Sequence, residues 1–207
     1  MRATILAILA AIFLTNGAAS AQTMSPSEHA VLYEENNTRQ GARVDAIATW
    51  TFENVSLGRD EPVEAVANMS VRVPDRDLGV TWLLRHNTDK SLPASHIIEI
   101  TFTLPDHFPN GGIRSVAGIL MKPSEKAKGT PLAGLVVKVT GNFFMIGLSA
   151  ADADVAQNVK LLQDLDWIDI PFTYSNGRRA ILAVEKGQSG GIAIDDAFAA
   201  WNAPEKQ

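Results

Sequence analysis

Residues 44–52 read Val-Asp-Ala-Ile-Ala-Thr-Trp-Thr-Phe, and this stretch decides the fold class. Val44, Ala46, Ala48, Trp50 and Phe52 fall on one side of an extended chain. Arg43, Asp45, Thr49 and Thr51 fall on the other, with Ile47 the one apolar exception. A side-chain period of two marks a strand that packs one face on a core and turns the other to water, the habit of antiparallel sheets. The same rhythm, punctuated by Gly, Pro, Asn and Asp, predicts strands over 30–34, 66–73, 78–86, 96–104 and 113–121. In 96–104, Ile98, Ile100, Phe102 and Leu104 share a face opposite Glu99, Thr101 and Thr103.

Turn chemistry adds two hairpins. Residues 135–140 and 143–148 are separated by Gly141-Asn142, glycine first, as the positive φ of a type II′ turn requires. Residues 168–174 and 178–185 flank Asn176-Gly177, the preferred pair of a type I′ turn. Helical spacing appears twice. Ser149 and Asp152 read as a capping box, after which Val155, Val159 and Leu162 recur on one side. Beyond Gly190-Gly191, the i, i+3, i+4, i+7 set Ile194, Ala197, Phe198 and Trp201 predicts a helix over 192–202, stopped by Pro204. A parallel α/β fold needs a crossover helix between most strands, and here one helix lies between strands. The reading is mainly β: an antiparallel β-sandwich, jelly-roll-like in size, with one internal helix and one C-terminal helix.

The first 21 residues read as a cleavable secretory signal peptide. Arg2 precedes an unbroken apolar run from Ile5 to Leu14, Asn16-Gly17 interrupt it, and Ala19-Ser20-Ala21 supplies the small residues that signal peptidase accepts. The run is about half of the roughly 20 residues a spanning helix needs, so no membrane anchor is expected. Cleavage after Ala21 takes 21 of the 207 residues and leaves 186. Residues 22–27 read as a flexible leader and 28–203 as a single domain. Loss of Arg2 leaves 17 basic against 23 acidic residues, net −6. That mild acidity, with no basic run longer than Arg178-Arg179, argues against nucleic acid or anionic lipid as partners. An exported chain without cysteine relies on burial rather than disulfides, which points to a bacterial periplasmic or secreted protein. Three N-x-Ser/Thr sequons, at Asn36, Asn54 and Asn68, are then coincidental.

Motifs for chemistry are sparse. His29, His86, His96 and His107 show none of the local spacings that preset a zinc site. His86 and His96 alone have a route to each other, across a hairpin near Leu92-Pro93. Asp152 and Asp154 lack the glycine and bidentate Glu of a calcium loop and read as carboxylates at a positive helix end. Asp195-Asp196 take the same reading at the second helix. Asp75, Asp77 and Gly111-Gly112 are turn residues. There is no G-x-S-x-G elbow, and Asp106-His107 are neighbours on a loop. Trp50, Trp82 and Trp201 read as core, leaving Trp167 as the tryptophan for an exposed face. Arg85 and Arg178-Arg179 are the cations open to an anionic ligand. No residue is assigned a catalytic, cofactor-binding or metal role, and no cofactor is implied.

Arg85-His86-Asn87-Thr88-Asp89, Leu92-Pro93-Ala94-Ser95-His96, Gly118-Ile119-Leu120-Met121-Lys122, Pro131-Leu132-Ala133-Gly134 and Asn176-Gly177-Arg178-Arg179-Ala180 resemble stretches of uncharacterised exported proteins of alphaproteobacteria. The resemblance covers most of the mature chain. It implies export and assigns no activity, while such a module sometimes ends a longer protein, which implies an accessory or recognition role. The expected function is a non-catalytic, exported binding or accessory protein of the bacterial envelope, its partner a protein or a small-molecule ligand. The alternative is a periplasmic hydrolase acting on an envelope polymer, with a site assembled only in three dimensions. A pocket joining two of the histidines to carboxylates would favour the enzyme, and an unpaired sheet edge would favour binding.

Overall fold

The computed structural model describes residues 26–36, 41–56 and 63–203. The expected signal peptide and most of the leader lie outside these. Twelve strands and two helices follow one another. They are β1 (Ser27–Glu34), β2 (Ala42–Ser56), β3 (Val63–Val73), β4 (Leu78–His86), β5 (Ala94–Thr103), β6 (Ile113–Val116), β7 (Leu120–Lys122), β8 (Thr130–Pro131), β9 (Gly134–Thr140), β10 (Phe143–Ser149), α1 (Asp152–Asp164), β11 (Trp167–Tyr174), β12 (Arg179–Glu185) and α2 (Gly187–Trp201). The alternation in β2 is realised: Val44, Ala46, Ala48 and Trp50 are buried in the core while Asp45 and Ile47 are exposed. Phe52 runs past the core and keeps 36% of its surface exposed.

Every strand pairing is antiparallel, along the path β8-β7-β11-β12-β1-β2-β3-β4-β5-β10-β9, with β6 also on β11. The mainly β, antiparallel class with an internal and a C-terminal helix is therefore what the chain adopts. Its strands, however, form one hydrogen-bonded sheet rather than two. The ends of the path, β8 and β9, are consecutive in sequence and joined by Leu132-Ala133 alone. The sheet must curl for this, and its opposite arcs meet: Phe102 of β5 and Phe172 of β11 have ring centroids 5.0 Å apart with five strands between them. Period-two patterning reports a buried face but not which other face covers it, and a curled sheet buries its concave side as well as two stacked sheets do.

Several local expectations are corrected. The 113–121 strand is two, β6 and β7, broken at Gly118 (φ 131°). The 174–179 hairpin forms, but only Gly177 has positive φ, so the turn is not type I′. Instead the Gly177 N–H donates to Tyr174 O (2.9 Å) and the Tyr174 N–H to Arg178 O (2.9 Å). That is a three-residue loop ending in a left-handed glycine. Ser149 does not cap α1, because it is still paired in β10; Ala151 precedes the helix without a side-chain cap. The second helix starts at Gly187, five residues earlier than expected, so Asp195 and Asp196 are not in its first turn. Its N-terminal turn is satisfied instead by Glu28 of β1, whose Oε1 accepts from the Ser189 N–H (3.1 Å) and Oγ (2.6 Å).

Gly190 and Gly191 therefore lie inside a helix, where glycine costs about 1 kcal/mol relative to alanine. A Cβ on Gly190 would sit 2.8 Å from the Trp50 ring, whereas one on Gly191 would meet nothing. Gly191→Ala is expected to raise stability by up to about 1 kcal/mol. Gly190→Ala is expected to lower it, by about 1–3 kcal/mol as an overpacked core does. Thermal unfolding of the two variants checks the opposed signs, and equal shifts would refute the close approach of α2 to Trp50.

Candidate binding edge

The two ends of the sheet path are built differently. A sheet edge carries unladdered N–H and C=O groups, and natural proteins blunt it with short strands, Pro or charge. At one end β8 is only two residues long and contains Pro131. At the other end β9 presents seven residues, Gly-Leu-Val-Val-Lys-Val-Thr, ladder-bonded to β10 alone. Leu135, Val137 and Val139 are 78%, 58% and 48% exposed. Between them Val136 turns inward and packs on the core. The strand's one charge, on the exposed Lys138, reaches across to β6: its ammonium donates to Ile113 O (2.6 Å) and lies 5.5 Å over the Phe144 ring. The outer face continues onto β10, where Met145 stands opposite Val137 and Gly147 opposite Leu135.

The facing edge belongs to β6. Ile113 is tied across the seam, its N–H donating to Asn142 Oδ1 (2.8 Å) and its carbonyl accepting from Lys138. Two side chains thus supply hydrogen bonds that a neighbouring strand would otherwise make. At the seam's other end the Leu132 N–H donates to Ile119 O (3.0 Å).

The residues singled out in the sequence are dispersed. His96 and His107 lie at opposite ends of β5. The route from His86 to His96 is realised, as directly opposed residues of β4 and β5 with ring centroids 5.5 Å apart. His96 is buried, with Phe198 at 5.3 Å and Trp201 at 5.2 Å. Among the described residues no group of three or more His, Asp or Glu is placed to hold a metal ion. His29 meets Arg43 (3.4 Å) and Trp167 on the outer face.

His107 enters a cleft with carboxylates, one of about 550 Å³ shared with Glu34, Asp75, Asp77 and Arg178. Glu34 is buried there with both oxygens taken, by the Tyr174 hydroxyl (2.7 Å) and Arg76 Nε (2.8 Å). Burial, with the Glu34 carboxylate, drives the Tyr174 pKa far above the ordinary phenol value, so this hydroxyl stays a donor.

Arg85 is not open to an anion, being paired with Glu99 (2.9 Å) and Glu64 (3.8 Å). Arg179 is bound by Glu35, whose carboxyl pKa is lowered by hydrogen bonds from Arg179. Arg178 stays exposed. Trp50 and Trp82 are buried as expected, and Trp201 packs against the core with its indole N–H on Ala65 O (2.9 Å). Trp167 is corrected: it is buried too, at 8% exposure. Segment 123–129 reaches over this outer face, with Glu125 on the Tyr33 hydroxyl and Lys122 Nζ on Glu125 O (2.6 Å) and Asp169 (2.7 Å).

Sequence reading took 135–140 as half of a hairpin and missed the edge. The signal was present in four apolar residues occupying both faces, which equally describes a fully buried strand.

The fold and this edge define the class: a curled antiparallel β protein with a seven-residue edge strand that exposes three apolar side chains. Compared with protein-family models, curated proteins and solved structures, the chain matches none.

Proposed function

We propose that this is an exported, non-catalytic binding protein of the bacterial envelope, a sandwich-like scaffold that takes an extended polypeptide segment as an added strand on β9. The observation that carries the reading is the exposure of Leu135, Val137 and Val139 on an edge strand whose one lysine is engaged with Ile113 O. In strand addition, main-chain hydrogen bonds supply affinity and alternate side chains supply specificity. The segment that fits is uncharged over three or four residues, with β-branched or aromatic side chains at every second position, to lie beside the Leu135, Val137, Val139 row.

The test is site-specific photo-crosslinking in exporting cells, from position 137 and from position 47. Ile47 is similarly exposed (51%) but lies on the central strand β2, with no free edge. A discrete adduct is expected from 137 and not from 47. Leu135→Lys with Val137→Lys is expected to weaken capture at least tenfold, the like of about 1.4 kcal/mol. Its melting temperature should stay near that of the parent, since both side chains are exposed. Equal adducts from both positions, or capture indifferent to the double substitution, would refute the edge as the binding site.

A further inference from the structure

We propose that the C-terminal turn of α2 is a latch closed by the uncharged His96 and released by acid. His96 sits on the concave side of β5, where its imidazole is boxed by His86 of β4 and by Phe198 and Trp201 of α2. Its one polar contact is Nδ1 to Ser95 Oγ (3.1 Å). Trp201 holds the same turn to β3 through Ala65 O.

Among the described residues, no carboxylate of the packed elements faces the ring. On β4, Arg85 lies on the outer face with Glu99 and Glu64. On α2, Asp195 and Asp196 are exposed, Asp195 accepting from Gln163 (2.9 Å). The β10 neighbour, Leu148, is apolar. A proton on His96 therefore gains no counter-charge, and His86 beside it is a second potential cation. Desolvation first, then the charge of His86, push the His96 pKa down from 6.5 to about 4.

The sign follows from linkage. The closed latch favours the neutral ring, so closure is fully supported above about pH 6.5 and weakens as pH falls toward 4. With an ordinary pKa in the open form, the open-to-closed ratio rises by up to tenfold per pH unit within that window, about 100-fold between pH 7 and 4.

Hydrogen exchange of the full chain, corrected for intrinsic rate, tests the latch between pH 7 and 4. Protection over residues 196–202 is expected to fall steeply while that of β2 to β4 holds. In His96→Phe, which keeps an aromatic ring without a titrating group, the acid response should vanish. Should that variant not fold, His86→Gln removes the smaller of the two influences that oppose a proton on His96 and should lessen the response. Unchanged protection of 196–202 down to pH 4, or the same acid loss in either variant, would overturn the proposal.

Discussion

Trp50→Ala is expected to be the most damaging single truncation in this protein, lowering the unfolding free energy by about 3–5 kcal/mol. Trp50 is 2% exposed and packs edge-on against Trp82, with ring centroids 5.6 Å apart. Its indole N–H donates to Glu185 O (3.3 Å), and Gly190 of α2 rests on its face. One residue thus joins β2, β4, the end of β12 and the C-terminal helix. Removing it opens a ring-sized cavity, orphans a carbonyl at the end of a strand and takes away the floor on which α2 lies. Against a total of roughly 5–15 kcal/mol for ordinary domains, the loss is a large fraction. The urea midpoint should fall sharply. Trp201→Ala, at a half-buried position, should cost less, and a midpoint unmoved in Trp50→Ala would mean α2 is not docked there.

Lys186→Ala should come second. This lysine is 1% exposed, and its Nζ donates to Leu162 O (2.7 Å) and Gln163 O (2.8 Å), carbonyls in the last turn of α1. Its own N–H donates to Asp166 O (2.6 Å), and its carbonyl accepts from Gly190 in the first turn of α2. A single side chain therefore closes one helix and adjoins the start of the next. Burial lowers its pKa, while Asp166, Asp195 and Asp164 act to raise it. Truncation takes the donor from one buried and one part-buried carbonyl, at most about 1–3 kcal/mol for the buried one, and adds a cavity. Lys186→Met keeps the stem and loses only the donors, so its midpoint should fall between those of Ala and the parent. A methionine variant as stable as the parent would show that the ammonium does not hold α1.

What was legible in the sequence was local. The alternation of residues 44–52 gave a strand with one buried face, and β4 was bounded correctly because Leu78 and His86 end the apolar alternation at turns. What failed depended on partners distant in sequence. Trp167 looked exposed between two aspartates, yet it is buried, with the ring of His29 from β1 set edge-on against it. The true start of α2 was hidden because its N-terminal support comes from Glu28 in β1, and because Gly190 is chosen to fit Trp50 rather than to break a helix. The single sheet went unread because a strand pattern specifies faces and not neighbours. The open edge was illegible for a related reason: apolar residues on both sides of β9 describe a buried strand and an unpaired one alike. Lys138 discriminates only once its ammonium is seen on Ile113.

The seating of the last hairpin beside the first strand has a consequence for how the chain is made. β1 to β5 form a meander, each strand paired with the one before it, so these segments can associate as they emerge. The other side of β1 belongs to β12, where Ala30 faces Val184 almost a whole chain later. Until that segment arrives, the N-terminal half carries an open ladder at β1 and another at β5. Such long-range closure is slow, because the loop entropy is met before the contacts reward it. The growing chain therefore passes through a stage with two adhesive borders, and only the last strand to appear seals the first.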